Sequence, residues 1–100
     1  MTVGSPEMQS QGGQVTLRYW ASARAAAGVE TDVVTVSGPV TLADLVATSL
    51  RLHSDSARLA DVLGCCSVLV GDRPATAEDR ATVIIPPGSA VEFLPPFAGG

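Results

Sequence analysis

Gln14-Val15-Thr16-Leu17-Arg18-Tyr19-Trp20 alternates polar and apolar side chains, placing Val15, Leu17 and Tyr19 on one face of an extended chain. That is the pattern of a strand buried on one side only. Immediately after it, Ala21 to Ala27 reads as a short helical turn, followed by Gly28, a residue suited to a left-handed helix cap. A second strand is expected from about Glu30 to Val36, closed by the Ser37-Gly38-Pro39 turn. The two strands are close enough in sequence to pair as an antiparallel hairpin.

Beyond the hairpin, Thr41-Leu42-Ala43-Asp44 opens the main helix. Thr41 is its expected N-cap, and Asp44, three residues on, completes a capping box. Leu42, Leu45, Val46, Ser49 and Leu50 fall on one face at helical spacing. A shorter helix is expected from about Ser56 to Leu63, carrying Leu59, Val62 and Leu63 and ending at Gly64. Cys65 to Val70 reads as a buried strand closed by Gly71-Asp72. A polar stretch with a turn from Thr76 to Arg80 follows, with Glu78-Asp79 as solvated turn residues, and leads to a strand at Thr82-Val83-Ile84-Ile85. Pro86-Pro87-Gly88 then turns the chain into a final strand, Ala90 to Leu94. Pro95 and Pro96 end that strand because they cannot donate to a ladder.

This order is that of an α+β roll of the ubiquitin-like β-grasp kind, a mixed sheet of four to five strands packed against one main helix. In such a roll the first and last strands lie side by side at the centre. Residues 14–94 then form the domain. Residues 1–13, rich in Gly, Ser and Gln, read as a disordered leader, and residues 95–100 as a flexible tail.

Composition narrows the function. One hundred residues with 46% apolar side chains suit one globular domain with a modest core. The net charge of −4 and the pI near 4.6 leave no basic stripe to neutralise phosphates, which argues against nucleic acid. The acidic surface suits a basic patch on a protein partner. No secretory signal opens the chain, and the longest apolar run, around Val62 to Val70, is far shorter than the ~20 residues of a membrane helix. A cytoplasmic protein is expected. Adjacent Cys65 and Cys66 lie in an apolar run and read as buried small side chains, with no second pair to hold zinc or an iron–sulfur cluster. His53, the only histidine, reads as a solvated cap at the end of the main helix, without a catalytic role. All six cations are arginine. A chain without lysine offers no side-chain amine to which another carboxyl terminus could be joined.

The end of the chain remains. Phe97-Ala98-Gly99-Gly100 places two residues without a Cβ at the terminal carboxylate, which can therefore pass through a slot too narrow for any other residue. Such access is needed when the carboxylate is itself the reacting group. Six residues from Pro95 span at most ~20 Å when extended. Ordering them costs roughly 6–12 kcal/mol, and the fixed φ of Pro95 and Pro96 lowers that figure. Phe97 is placed to anchor the tail in an apolar pocket of a partner.

Leu17-Arg18-Tyr19-Trp20-Ala21, with Ala23-Arg24 and Gly28, resembles the opening strand and turn of the bacterial MoaD/ThiS-type sulfur-carrier family. Phe93-Leu94-Pro95-Pro96-Phe97-Ala98-Gly99-Gly100 resembles that family's C-terminal signature, nearest to the small subunit of molybdopterin synthase. The likeness runs from about Val15 to Gly100. The turns at Val70-Gly71-Asp72 and Pro86-Pro87-Gly88-Ser89 depart from the family's usual residues while still turning. The resemblance implies that a partner adenylating enzyme, consuming ATP, activates the Gly100 carboxylate. A sulfur donor then converts it to a thiocarboxylate. It implies as partner the molybdopterin synthase large subunit, in a heterotetramer, with Pro95, Pro96, Phe97, Ala98 and Gly99 as the inserted tail. No tightly bound cofactor is implied for the chain itself. Sulfur carriage for cysteine or thiamine biosynthesis, a ubiquitin-like protein modifier and an inert β-grasp interaction module are the alternatives.

Overall fold

The computed structural model describes residues 12–75 and 80–96. In chain order the elements are β1 (Gly13–Tyr19), α1 (Ala21–Ala27), β2 (Thr31–Val36), β3 (Val40–Thr41), α2 (Leu42–Leu52), α3 (Leu59–Cys65), β4 (Ser67–Val70), β5 (Arg73–Ala75), β6 (Ile84–Ile85) and β7 (Ala90–Leu94). Five strands form one sheet in the order β2-β1-β7-β4-β5, and β3 and β6 form a separate pair. β1 and β7 run parallel at the centre, while β1–β2, β4–β7 and β4–β5 are antiparallel. The α+β β-grasp roll expected from the element order is the fold observed.

The alternation in β1 explains where the core lies. Val15, Leu17 and Tyr19 are buried and meet Val91 and Phe93 of β7 and Val68 of β4. Leu42 and Leu45 of α2, Leu59 and Leu63 of α3, and Ala23 and Ala27 of α1 close the same cluster. The helices therefore cover one face of the sheet. Burying a Leu or Phe side chain in such a layer stabilises the fold by about 1.5–3 kcal/mol.

Local chemistry sets the boundaries. Gly28 adopts φ 82 and its N–H bonds the Arg24 carbonyl at 2.8 Å, the left-handed cap the sequence suggests. Thr41 Oγ1 accepts from the Asp44 N–H at 3.0 Å, and Asp44 Oδ2 accepts from the Thr41 N–H at 3.2 Å, completing the capping box.

Three expectations are corrected. First, α3 begins at Leu59, not Ser56, and runs through Gly64 to Cys65. The Arg80 guanidinium closes its C-terminus, with Nη2 donating to the carbonyls of Leu63 at 2.8 Å and Cys66 at 3.3 Å. Second, the following strand is therefore Ser67–Val70, and Cys65 is exposed while Cys66 is buried. Third, only Ile84–Ile85 of the Thr82–Ile85 run is strand, and it pairs with Val40–Thr41 outside the main sheet. The fifth strand of that sheet is Arg73-Pro74-Ala75, whose arginine and proline gave no strand signal. Glu78 and Asp79 lie outside the described residues. No helix among the described residues is long and apolar enough to cross a membrane.

Candidate functional site: the root of the C-terminal tail

β7 is held on both sides. Tyr19 of β1 pairs in register with Phe93, and Ser67 of β4 with Leu94. One further hydrogen bond extends the parallel ladder, from the Trp20 N–H to the Phe93 carbonyl at 3.2 Å. Pro95 and Pro96 follow, half-buried and exposed respectively. Neither has an N–H, so Leu94 is the last residue the sheet can hold, and the chain must leave there. The structure thus places Pro95 and Pro96 at the end of a central strand. Phe97, Ala98, Gly99 and Gly100 lie outside the described residues.

Beside this exit stands Trp20, 43% exposed. Its indole N–H donates to Glu92 Oε1 at 2.9 Å, and the Arg18 guanidinium lies 5.4 Å from its ring centre. Both contacts fix an aromatic ring in water, an arrangement found at protein–protein contacts rather than in cores. The alternation of β1 foreshadows it, since Trp20 falls off the buried Val15–Leu17–Tyr19 face. Its partner Glu92, 72 positions away, could not be read from the sequence.

Beneath the exit, the core side of β1 carries a polar cluster. The Tyr19 ring stacks on Phe93 at 5.7 Å, and its hydroxyl donates to Asp32 Oδ2 at 2.7 Å. Ser49, fully buried on α2, completes that hydroxyl's bonding with an Oγ–O contact of 2.6 Å. His53 Nε2 lies 2.6 Å from the same Asp32 oxygen, and its ring meets Tyr19 edge-on. A carboxylate only accepts, so the ring nitrogen is the donor. His53 is thus the C-cap residue of α2 but not a solvated one: its side chain is 13% exposed and pins the helix end to β2. The periodicity of α2 anticipated the inward Ser49 but not what it bonds. Burial pushes the Tyr19 phenol well above its ordinary value; the Ser49 bond opposes the rise and Asp32 adds to it. Burial likewise pushes the Cys66 thiol up to about 11, against the nearby Arg80 charge.

These polar groups bond one another and leave none aimed at a ligand. Among the described residues no group of three His, Cys, Asp or Glu could hold a metal ion. What the geometry offers is a rigid strand end that launches a tail beside a fixed aromatic.

No family sequence model and no curated protein sequence matches the chain. Solved structures do. A Pyrococcus furiosus protein provisionally named molybdopterin converting factor, subunit 1, superposes with a TM-score of 0.67 at 17% identity, covering 85% of this chain and 99% of its own. The small archaeal modifier protein 1, SAMP1, of Methanosarcina acetivorans gives 0.69 at 15% identity, over 90% and 99% of the two chains. SAMP1 of Haloferax volcanii gives 0.72 at 23% identity, over 88% and 100%. The chain has the ubiquitin-like β-grasp fold, matched over nearly the full length of each of these neighbours.

Proposed function

We propose that this protein is a cytoplasmic sulfur carrier of the MoaD/ThiS type, with the Gly100 carboxylate as its reactive group. The observation that carries the reading is the exit of β7: a central strand, clamped on both edges, that runs through Pro95-Pro96 into Phe97-Ala98-Gly99-Gly100. The likeness to a protein named for molybdopterin conversion supports it.

In this reading a carboxylate oxygen of Gly100 attacks the α-phosphorus of ATP on a partner adenylating enzyme, and pyrophosphate leaves. The acyl-adenylate is needed because a bare carboxylate is a poor electrophile. A sulfur nucleophile then adds to the acyl carbon and displaces AMP, leaving a thiocarboxylate. The chain contributes reach and fit rather than a base or nucleophile: Gly99 clears the path and Phe97 anchors the tail in the partner. The recipient is a pterin precursor on a large synthase subunit.

A second reading has its own support, because two of the structural neighbours are modifier proteins. There the same acyl-adenylate is passed to a lysine amine of a target. One experiment separates the two. Incubated with ATP, the adenylating partner and a sulfide source, the intact protein gains the mass difference between sulfur and oxygen. An unchanged mass with every cognate partner overturns the carrier reading, and a new amide bond to a target lysine establishes the modifier.

A further inference from the structure

A shallow groove of about 270 Å³ opens beside the tail's root, lined by Ser22 of α1, Asp61, Val62 and Cys65 of α3, and the rings of Pro95 and Pro96. Its wall is mainly apolar: Val62 and Cys65 are one helical turn apart on α3, and the proline rings close the opposite side. We propose that this groove is the seat of the Phe97 ring in the free protein, so that the tail is parked on its own domain until a partner takes it.

The occupant follows from the order of residues after the groove's own wall. Pro96 is itself part of the wall, and Phe97 is the next residue, with its Cα only ~3.8 Å from that of Pro96. The four residues beyond Pro96 contain a single large apolar side chain, and it is this one. Size agrees, because an apolar cavity of about 150 Å³ already accepts a benzene ring. Charge disfavours the other candidate in the tail: Asp61, the one charged side chain among the described lining residues, repels the terminal carboxylate. That carboxylate is therefore left outside while the ring is held. The Cys65 sulfur gives the ring a soft, polarisable neighbour. Pro95 and Pro96 are already fixed in φ, so Phe97 alone has to be ordered. Seating here and seating in a partner's pocket exclude each other. The partner must draw Phe97 out of the groove before the tail can be inserted, which makes the groove a brake on premature insertion.

Cys65 reports on the seat, because it is exposed while Cys66 is buried. Alkylation of Cys65 by iodoacetamide is followed by peptide mass in the full chain, in Phe97→Ala and in a chain ending at Pro96. The full chain is expected to react at least about fivefold more slowly than the other two, the protection given by a seat occupied some four-fifths of the time. Nuclear Overhauser contacts between the Phe97 ring and the Val62 methyls are expected in the full chain. Equal rates in all three proteins, or contacts missing, overturn the proposal. Protection that grows with protein concentration also overturns it, since the groove is then filled by a second copy. Neither measurement involves activation of Gly100, so the result stands apart from the sulfur-carrier reading.

Discussion

Tyr19 joins the two halves of the core. Its ring stacks on Phe93 of the strand that carries the tail, and its hydroxyl ties β2 to α2 through Asp32 and Ser49. Replacing it with phenylalanine keeps the stack and leaves the Ser49 hydroxyl, fully buried, without that partner. We expect Tyr19→Phe to cost about 1–3 kcal/mol of unfolding free energy in urea; an unaltered midpoint would show that the hydroxyl is structurally silent. Protons give a second test at this scale. Cys66 and Tyr19 are neutral when protonated, and both hold the proton more tightly folded than unfolded. Their contribution is thus complete below the unfolded values and is lost as the pH rises through the folded ones. For Cys66 the loss runs from pH 9.0 to about 11, and for Tyr19 it begins at pH 10.0. Cys66→Ala should shift the onset of alkaline destabilisation from near pH 9 to near pH 10; the same onset in both proteins removes Cys66 as its cause.

Two glycines distinguish the elements they sit in. Gly28 holds φ 82 at the end of α1, and an added Cβ there would meet no atom within 4 Å. Any cost of Gly28→Ala is then purely that of the left-handed backbone, about 1–2 kcal/mol. Gly64 also has open space around its Cβ position, but it lies inside α3. Gly64→Ala should raise stability by about 0.5–1 kcal/mol. Thermal unfolding that moved both variants in one direction would contradict this division. The pair also shows what is legible locally. Gly28 follows an alanine-rich turn and caps it as its sequence suggests. Gly64 looks like the same stop signal, yet α3 passes through it because Arg80, sixteen residues on, bonds the carbonyls at the helix end. The capping box of α2 needed only Thr41 and Asp44, three positions apart, and was readable; the bond from His53 to Asp32 crosses 21 positions and was not.

At the scale of the whole molecule, the fold puts its last strand in the middle. β7 is flanked by β1 and β4, so the chain's end leaves from a well-supported part of the sheet. Among the described residues the ladder of β7 ends at Leu94, which pairs with Ser67 of β4. Removing Gly100 alone should therefore abolish thiocarboxylate formation while leaving the thermal midpoint within about 1 °C of the full chain's. A large fall in the midpoint would make the terminus a structural element instead.

The sequence by itself determined the inward face of β1, the C-cap of α1, the N-cap of α2, the extent of β7 and its stop at two prolines. Each depends on residues within a few positions of one another, where side-chain period, φ preference and a missing N–H act directly on the local chain. Only the tertiary structure decided that Trp20 is held by Glu92, that His53 is tied to Asp32, and that Cys65 and two prolines share a groove. Those pairings join segments brought together by sheet order, and no local preference encodes which distant side chain will stand opposite.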